Sequence, residues 1–456
     1  MRKTTFTLLT TLVLGACAPA AVSDLPERRE ASLPRALPPM AMFGTPRPVA
    51  TTRSNTDIAR DFLSLSFEME SGRAIPVLSR FEGPVTVAVA PGAPPTLNRD
   101  LDRLLSRLRN EAGIDIRQVP MGTTAASITI ETLPRSRMQR AVPQAACFVV
   151  PRVSSWAEFR QARRSATTLD WTTLQTREEV AVFIPSDVSP QEIRDCLHEE
   201  IGQALGPLND LYRLSDSIFN DDNFHAVLTG FDMLILRTYY DDALASGMSR
   251  SDVAARLPTI LSRLNPAGNR APQGGSDTPN RQWISAIEDA LGSRMSAQAR
   301  IAAAERAVQI ATGQGWSDVR IGFSNFALGR LTLARDPSRS VRAFVTAGTY
   351  FRRIDPNSIQ VAHVNMQLAA FALSAGDAGQ VLALVGDAMP AAMRAENASL
   401  LATLLMMRAE ALEMQGRVSE AAAVRLDSLG WARYGFGGDR AVRDRLTEVA
   451  ALPPQN

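Results

Sequence analysis

The chain is poor in the side chains that most often bind metals: its 456 residues include three histidines and three cysteines. Neither sign of charge is in excess, with 49 basic and 47 acidic residues. It has no contiguous basic block and no interleaving of aromatic and basic residues, which argues against a nucleic-acid partner. Beyond the N-terminus, no apolar run is long enough to cross a bilayer as a helix. The length allows two or three globular domains.

The N-terminus has the features of a secretory signal. Met1-Arg2-Lys3 precedes an apolar run from Phe6 to Val13, and Leu14-Gly15-Ala16-Cys17 follows. A positive start, a short apolar segment and small residues before a cleavage point are typical of a signal peptide rather than a membrane span. Leu-Gly-Ala-Cys resembles the lipobox of bacterial lipoproteins, which implies that Cys17 is acylated and begins the mature chain. A plain signal peptide that contains a cysteine is the alternative.

The resemblance to lipoproteins implies a place for the protein. Residues 1–17 would be removed or lipidated, and the body would be exported and attached to the membrane of the cell envelope. In such families Ala18 favours the outer membrane, with the body facing the periplasm. Residues 18–56 are rich in Pro, Arg, Ala and Thr and lack apolar periodicity. This composition predicts a flexible tether between the lipid and the body.

Two cysteines remain once Cys17 is assigned to the lipid. In an oxidising compartment, a disulfide between Cys147 and Cys196 is the expected state. Two separate buried thiols are the alternative.

Residues 57–264 carry the pattern of an α/β domain. Leucines from Leu97 to Leu108 recur at helical spacing. Short β runs stand at Val85–Ala90, Ile114–Val119, Ser127–Thr132 and Val180–Ile184. This order predicts a sheet covered by a helix. Ser189-Pro190-Gln191-Glu192 then opens another helix with a capping box, and Gly206-Pro207 ends it.

The most distinctive stretch, residues 196–210, reads Cys-Leu-His-Glu-Glu-Ile-Gly-Gln-Ala-Leu-Gly-Pro-Leu-Asn-Asp. It resembles the HExxHxxGxxH motif of metzincin zinc peptidases of the matrixin type. In that family three histidines bind zinc, the glutamate is the general base, and the glycine turns the chain toward the third ligand. With Gly206 on the family's glycine, the ligand positions fall on Glu199, Gln203 and Asn209, and the base falls on Glu200.

The likeness extends along the chain. Ser217-Ile218-Phe219 resembles the Ser-Ile-Met of the Met-turn, and residues 228–240 resemble the last helix of that catalytic domain. A second resemblance, over about residues 57–264, is to a bacterial family of putative lipoproteins with a domain of unknown function. It rests on Gly83-Pro84-Val85, Glu199-Glu200-Ile201, Leu205-Gly206, Asn209-Asp210, Ser217-Ile218-Phe219 and Gly247-Met248. This second family brings no known activity.

The departures from the metzincin motif determine the expected chemistry. All three histidine ligands are replaced, and carboxamide oxygens are weak partners for zinc. Without the metal nothing lowers the pKa of an attacking water, and Glu200 alone cannot do so. The sequence therefore predicts a domain without a cofactor, and Glu200 is a catalytic residue only if the domain is active.

Two other metal sites remain open as alternatives. His198 and His225 could form a pair of zinc ligands, although His198 is about 100° round the helix from Glu199. Carboxylates and amide oxygens could instead hold Ca²⁺. The oxygen donors of this second alternative are Glu199, Glu200, Asn209, Asp210, Asn220, Asp221 and Asp222. A second-shell or surface role for His198 and a solvated polar loop are the simpler interpretations.

After a Pro- and Gly-rich linker at residues 265–280, residues 281–448 are predicted to be an all-α domain. Residues 407–421 resemble the turn region of a tetratricopeptide repeat, with Gly416 at the turn. Residues 368–381 repeat the pattern about forty residues earlier, and residues 328–341 form a weaker third copy with Arg335 at the turn. Stacked helical hairpins usually bind a partner protein. A plain helical domain packed on the first one is the alternative.

Together these features predict a lipid-anchored envelope protein with a zinc-less, non-catalytic metallopeptidase-like domain. Its helical repeats would bind a protein partner. The competing hypothesis is an active metal-dependent peptidase or hydrolase with non-standard ligands.

Overall fold

The computed structural model describes residues 36–44, 49–122, 125–143, 145–165, 167–220, 222–272, 280–292 and 294–454. The signal sequence with Cys17, the first half of the expected tether, Asp221 and residues 273–279 of the expected linker lie outside the described residues. Within them, no helix is both long and apolar enough to span a membrane.

The first half is an α/β domain built on five strands. The strands are β1 (Val85–Val89), β2 (Ile116–Gln118), β3 (Ile128–Leu133), β4 (Phe148–Pro151) and β5 (Val180–Pro185). The helices are α1 (Asn55–Phe67), α2 (Pro95–Glu111), α3 (Arg135–Gln139), α4 (Trp156–Ala162), α5 (Pro190–Leu205), α6 (Gly230–Tyr239) and α7 (Arg250–Leu264). The predicted strands and the leucine-patterned helix are all present, while β4, α3 and α4 were not predicted.

The strands form one sheet in the order β2-β1-β3-β5-β4, with β4 antiparallel at the edge and the other pairs parallel. Alternate residues of β5 face opposite sides, as the pleat requires. Val182 and Ile184 join the main core with α2 and α5. Ala181 and Phe183 join a second core, which is made of aromatic residues of α4 and Met138 of α3. The sheet is therefore covered on both faces.

The second half is helical throughout its described residues. Its helices are α8 (Arg281–Leu291), α9 (Ala297–Gly313), α10 (Val319–Thr332), α11 (Pro337–Ile354), α12 (Ile359–Ser374), α13 (Ala378–Arg394), α14 (Ala398–Met414), α15 (Val418–Gly435) and α16 (Asp439–Ala450). Helices α10, α12 and α14 each begin a hairpin, about 40 residues apart. Gly376 and Gly416 turn two hairpins with positive φ values of 79° and 74°, a conformation that favours glycine.

The first helices of these hairpins pack on the chain's own α/β domain. The Phe224 ring lies 5.1 Å from that of Phe326 in α10 and 5.1 Å from that of His363 in α12. Gln360 of α12 donates to the carbonyl of Ser215. The segment 211–224 of the α/β domain therefore packs against the helical half.

The described part of the expected tether is folded, which corrects the expectation of flexibility up to residue 56. The Ala41 amide donates to the Gly430 carbonyl of α15 at 3.0 Å, and the Phe43 ring lies 4.7 Å from that of Trp431. Arg53 forms ion pairs with Asp61 and Asp216. A segment without apolar periodicity can still be held by one aromatic side chain in a groove formed by distant residues, which a local pattern does not reveal.

Candidate functional site

Helix α5 carries the motif. Ser189 caps it by accepting from the Glu192 amide, with Pro190 in the first turn. The reciprocal bond of the expected capping box is absent; the Glu192 carboxylate pairs instead with Arg135. The helix ends at Leu205, and Gly206 follows as predicted. A Cβ on Gly206 would lie 2.9 Å from the Tyr239 ring, so close packing requires glycine there.

The C-terminal end of α5 is held by Arg177, a residue that sequence reasoning missed. Its guanidinium donates to the carbonyls of Gln203, Ala204 and Gly206 at 2.6, 2.7 and 2.5 Å. These carbonyls have no partner within the helix. Burial lowers the pKa of Arg177. No motif could have indicated this contact, because it depends on the position of the loop before β5.

The four motif positions do not converge as one ligand set. The Glu199 and Glu200 carboxylates approach each other, with oxygen atoms within 4.8 Å. The Asn209 side chain donates to the Ser64 carbonyl of α1 at 3.0 Å and lines a different cavity from Glu199. Gln203 is half-buried, and Arg177 donates to its backbone carbonyl.

A disulfide occupies the space beside the two glutamates. Cys147, just before edge strand β4, is bonded to Cys196 of α5. The Cys147 sulfur lies within 4.8 Å of a carboxylate oxygen of Glu199 and of Glu200, the one such group of three potential ligands among the described residues. A disulfide sulfur is not a thiolate and so does not serve as a zinc ligand. The residues present therefore do not fit zinc.

Glu200 is buried, at 3% exposure. Its Oε2 atom has no hydrogen-bond partner among the described residues. Burial raises the pKa of Glu200 well above its ordinary value, and the Glu199 and Glu70 carboxylates raise it further. A general base must be ionised when it accepts a proton. This environment favours the protonated acid, which is the wrong form for that role.

The alternative histidine pair is also unsuited to a metal. His198 is buried, contrary to the expectation of a surface residue, and its Nδ1 accepts from the Leu228 amide at 3.1 Å. Burial lowers the pKa of His198 well below its ordinary value, so its one proton is on Nε2 and neither nitrogen has a free lone pair. The Nε2 atom of His225 lies 3.0 Å from the Ser215 carbonyl and donates to it.

Three of the expected oxygen donors, Glu199, Asp210 and Asn220, line a polar cavity. It is lined by Asp195, Glu199, Asp210, Ile218, Asn220, Asn223, His225 and Ala226. Burial raises the pKa of Asp195 to about 6, against the opposing effect of Arg194. Asn220 and Asp222 bond to each other at 3.0 Å, which uses part of the donor set expected for Ca²⁺; Asp221 lies outside the described residues. Asp195 lies one helical turn before Glu199, on the same face of α5, and it was not predicted because it precedes the motif.

Residues 217–219, which resemble a Met-turn in sequence, are held by hydrogen bonds to Asp232 of α6. Ser217 donates to Asp232 at 2.5 Å, and the Ile218 amide donates to the same carboxylate at 3.1 Å. Phe219 packs against α5, where its ring would lie 3.0 Å from a Cβ on Gly202. The sequence-predicted Ser-Ile-Phe and Asp232 are thus brought together as support for α5.

By fold, the chain joins an α/β domain with a five-stranded mixed sheet to a second half that is helical. Residues 55–259 match the model of the family described as "Protein of unknown function (DUF2927)". A domain of that family spans this stretch, which confirms the expectation of a domain of unknown function over about residues 57–264. No curated protein and no solved structure matches the chain.

Proposed function

We propose that the protein is a lipid-anchored envelope protein in which a metallopeptidase-like domain serves binding rather than hydrolysis. The observation that carries the proposal is the structural environment of the residues at the motif positions. Asn209 is bonded to the backbone of α1, and the disulfide lies where the first ligand position faces. Glu200 lies in surroundings that favour its neutral form. The Asn209 hydrogen bond and the disulfide support the fold, and all three features oppose zinc-assisted attack by water.

Zinc binding tests this proposal directly. The wild-type protein is expected to bind no zinc in equilibrium dialysis and to cleave no peptide. The triple variant Glu199→His, Gln203→His, Asn209→His restores the motif residues, but positions 199 and 209 line different cavities, so we expect it to form no three-histidine zinc site. The double variant Glu199→His, Gln203→His is the matched control with two ligands, and it should bind zinc as weakly as the triple variant. Stoichiometric zinc in the wild type, with peptide cleavage that chelation abolishes, would refute the proposal.

The competing function, a hydrolase that uses oxygen ligands, has one observation in its favour. The buried Oε2 atom of Glu200 lacks a hydrogen-bond partner among the described residues, and a bound cation would satisfy it. Calcium dialysis separates the two functions. Tight calcium binding that is lost in Glu200→Gln and accompanied by hydrolysis would favour the enzyme. Calcium affinity no greater in the wild type than in this variant would favour the binding protein.

The helical half is proposed to bind a partner protein through the second helices of its hairpins. Two of the first helices, α10 and α12, pack against segment 211–224. Apolar side chains remain exposed on the second helices, at 50% for Val345, 63% for Val418 and 53% for Leu426. Exposed apolar groups on a folded surface are typical of protein interfaces. Photo-crosslinking from position 426 in intact cells should yield a defined adduct, with exposed Arg440 as the control position.

A further inference from the structure

The layer on the outer face of the sheet is strongly basic. Between residues 134 and 165 the chain has seven arginines and one acidic residue, Glu158, whereas the whole chain has a formal net charge of +2. Lys3 is the one lysine of the chain, so these positive charges are all guanidinium groups. Guanidinium groups bind phosphate oxygens through two parallel hydrogen bonds.

Five of these arginines define what we call the basic face: Arg137, Arg140, Arg160, Arg163 and Arg164. All five are exposed, and no ion pair joins any of them to a described residue. The other two arginines are engaged. Arg135 pairs with Glu192, and Arg152 donates to Thr173 and to the carbonyls of Thr167 and Thr168.

Packing brings the basic face together from two separate helices. Arg137, in α3, lies 5.7 Å from the centre of the Trp156 ring, and Arg163, just after α4, lies 5.9 Å from that of Phe159. These two rings are 5.2 Å apart. The aromatic cluster therefore acts as a rigid platform that holds arginines from both helices on one surface.

The acidic residues nearby do not neutralise this surface. Glu131 accepts from the Trp156 amide, and Glu158 accepts from the Ser154 amide, both at 2.7 Å. Both carboxylates are thus used at the N-terminal end of α4. Arg160, Arg163 and Arg164 lie at the opposite end, so the two signs of charge are separated along the helix.

The basic face is directed away from the helical half. It lies over the side of β5 that carries Ala181 and Phe183. The helical half packs near α5, on the other side of the sheet, where Arg194 donates to the Glu396 carbonyl. No described residue of the helical half therefore needs to be displaced for a large, flat partner to reach the basic face.

We propose that the basic face binds the anionic headgroups of the bilayer that carries the protein's lipid. This inference rests on the proposed lipid anchor, which would keep the body next to that surface. A chain of the length of residues 18–35 can span at most about 60 Å, so the lipid would keep the body within that distance of the bilayer. Basic side chains near an anionic membrane each contribute measurable affinity, and a basic patch adds a second attachment to an acyl chain.

Vesicle binding tests the proposal without the lipid. The mature chain carrying Cys17→Ser is mixed with vesicles of pure phosphatidylcholine or of phosphatidylcholine with 30% phosphatidylglycerol, a composition of about one-third anionic lipid suited to surface-charge effects. We expect cosedimentation with the anionic vesicles only, lost at about 0.5 M salt, where charges are screened within a few ångströms. The variant Arg160→Gln, Arg163→Gln, Arg164→Gln should bind at least tenfold more weakly.

A matched variant controls for net charge. Arg330→Gln, Arg342→Gln, Arg353→Gln removes three exposed arginines from the helical half and should bind anionic vesicles as the parent does. Equal loss in both variants, equal binding to neutral vesicles, or binding to polyglutamate but not to vesicles would overturn the proposal. The last result would indicate an acidic protein as the partner. Because the acyl chain is absent, none of these outcomes depends on whether Cys17 is lipidated; mass spectrometry of the wild-type N-terminus tests that separately.

Discussion

Glu200 is the residue at which burial and charge are most in conflict. Its carboxylate is nearly excluded from solvent, lacks one hydrogen bond and faces Glu199. An unsatisfied buried acceptor costs about 1–3 kcal/mol. In a protein selected for stability alone, such a residue would be replaced.

We expect Glu200→Gln to raise the free energy of unfolding at neutral pH by about 1–3 kcal/mol. The folded-state pKa of this carboxyl is raised above its unfolded value, so the folded state binds the proton more tightly. Stability therefore falls as pH rises above the unfolded pKa of about 4.3. The variant should lack this decline and should show its full advantage only above the folded pKa.

Urea unfolding between pH 4 and pH 8 measures this difference. Exposed Glu178→Gln is the control and should follow the wild type. A Glu200→Gln variant with an unchanged pH profile would show that the carboxyl is stabilised by a group other than those described.

At the residue scale, the sequence predicted that the Glu200 side chain is buried but not which groups surround it. Glu200 falls at the edge of the apolar face of α5, so a buried carboxylate could be expected from helical spacing. Its neighbour Glu70 and the disulfide sulfur come from distant parts of the chain. The same is true of Arg177 and of the amide that fixes the tautomer of His198. Local patterns carry no information on such partners.

Among the secondary-structure elements, the edge strand β4 is linked to α5 by the Cys147–Cys196 disulfide. It has four residues and pairs on one side only, with β5. The run Phe148-Val149-Val150-Pro151 shows no alternation and ends in proline, which is why β4 was not predicted. Helices α3 and α4 are too short for a clear helical period. The longer helices α2 and α5 have enough turns for their apolar faces to be recognised.

Removal of the disulfide should loosen this edge. The double variant Cys147→Ala, Cys196→Ala opens a loop with a sequence separation of 49 residues, and the chain-entropy model gives a loss of about 4 kcal/mol in the free energy of unfolding. Urea denaturation provides the measurement. Wild-type protein under full reduction is the internal control and should match the variant. Native protein with two titratable thiols after denaturation would contradict the bond itself.

At the scale of the whole molecule, aromatic contacts of Phe224 join the two halves. The sequence correctly indicated helical hairpins repeating about every forty residues, because the turn glycines and small residues are local signals. It did not indicate that segment 211–224 packs against two of their first helices. That contact involves residues more than one hundred positions apart, and each side alone resembles an ordinary apolar surface.

We expect His363 to make the contact between segment 211–224 and the helical half, here called the joint, sensitive to acid. Its ring lies 5.1 Å from that of Phe224, its Nε2 atom has no hydrogen-bond partner among the described residues, and burial, Arg330 and His225 lower its pKa to about 4. The unfolded histidine, with a pKa of about 6.5, binds the proton more readily. Stability is therefore fully present above about pH 6.5 and is lost as pH falls toward 4.

We expect wild-type protein to lose on the order of 1–3 kcal/mol across this window relative to His363→Phe, whose ring can pack against Phe224 and Phe326 without titrating. Hydrogen–deuterium exchange of segment 211–224 at pH 7 and pH 4.5 measures the joint itself, and urea unfolding measures the total. The variant His225→Gln retains His363 and should keep most of the acid sensitivity of the wild type, because burial is the largest cause of the lowered pKa of His363. If wild type and His363→Phe lost protection in parallel as pH fell, the acid sensitivity would originate outside the joint, and the neutral state of His363 would not be what holds the two halves together.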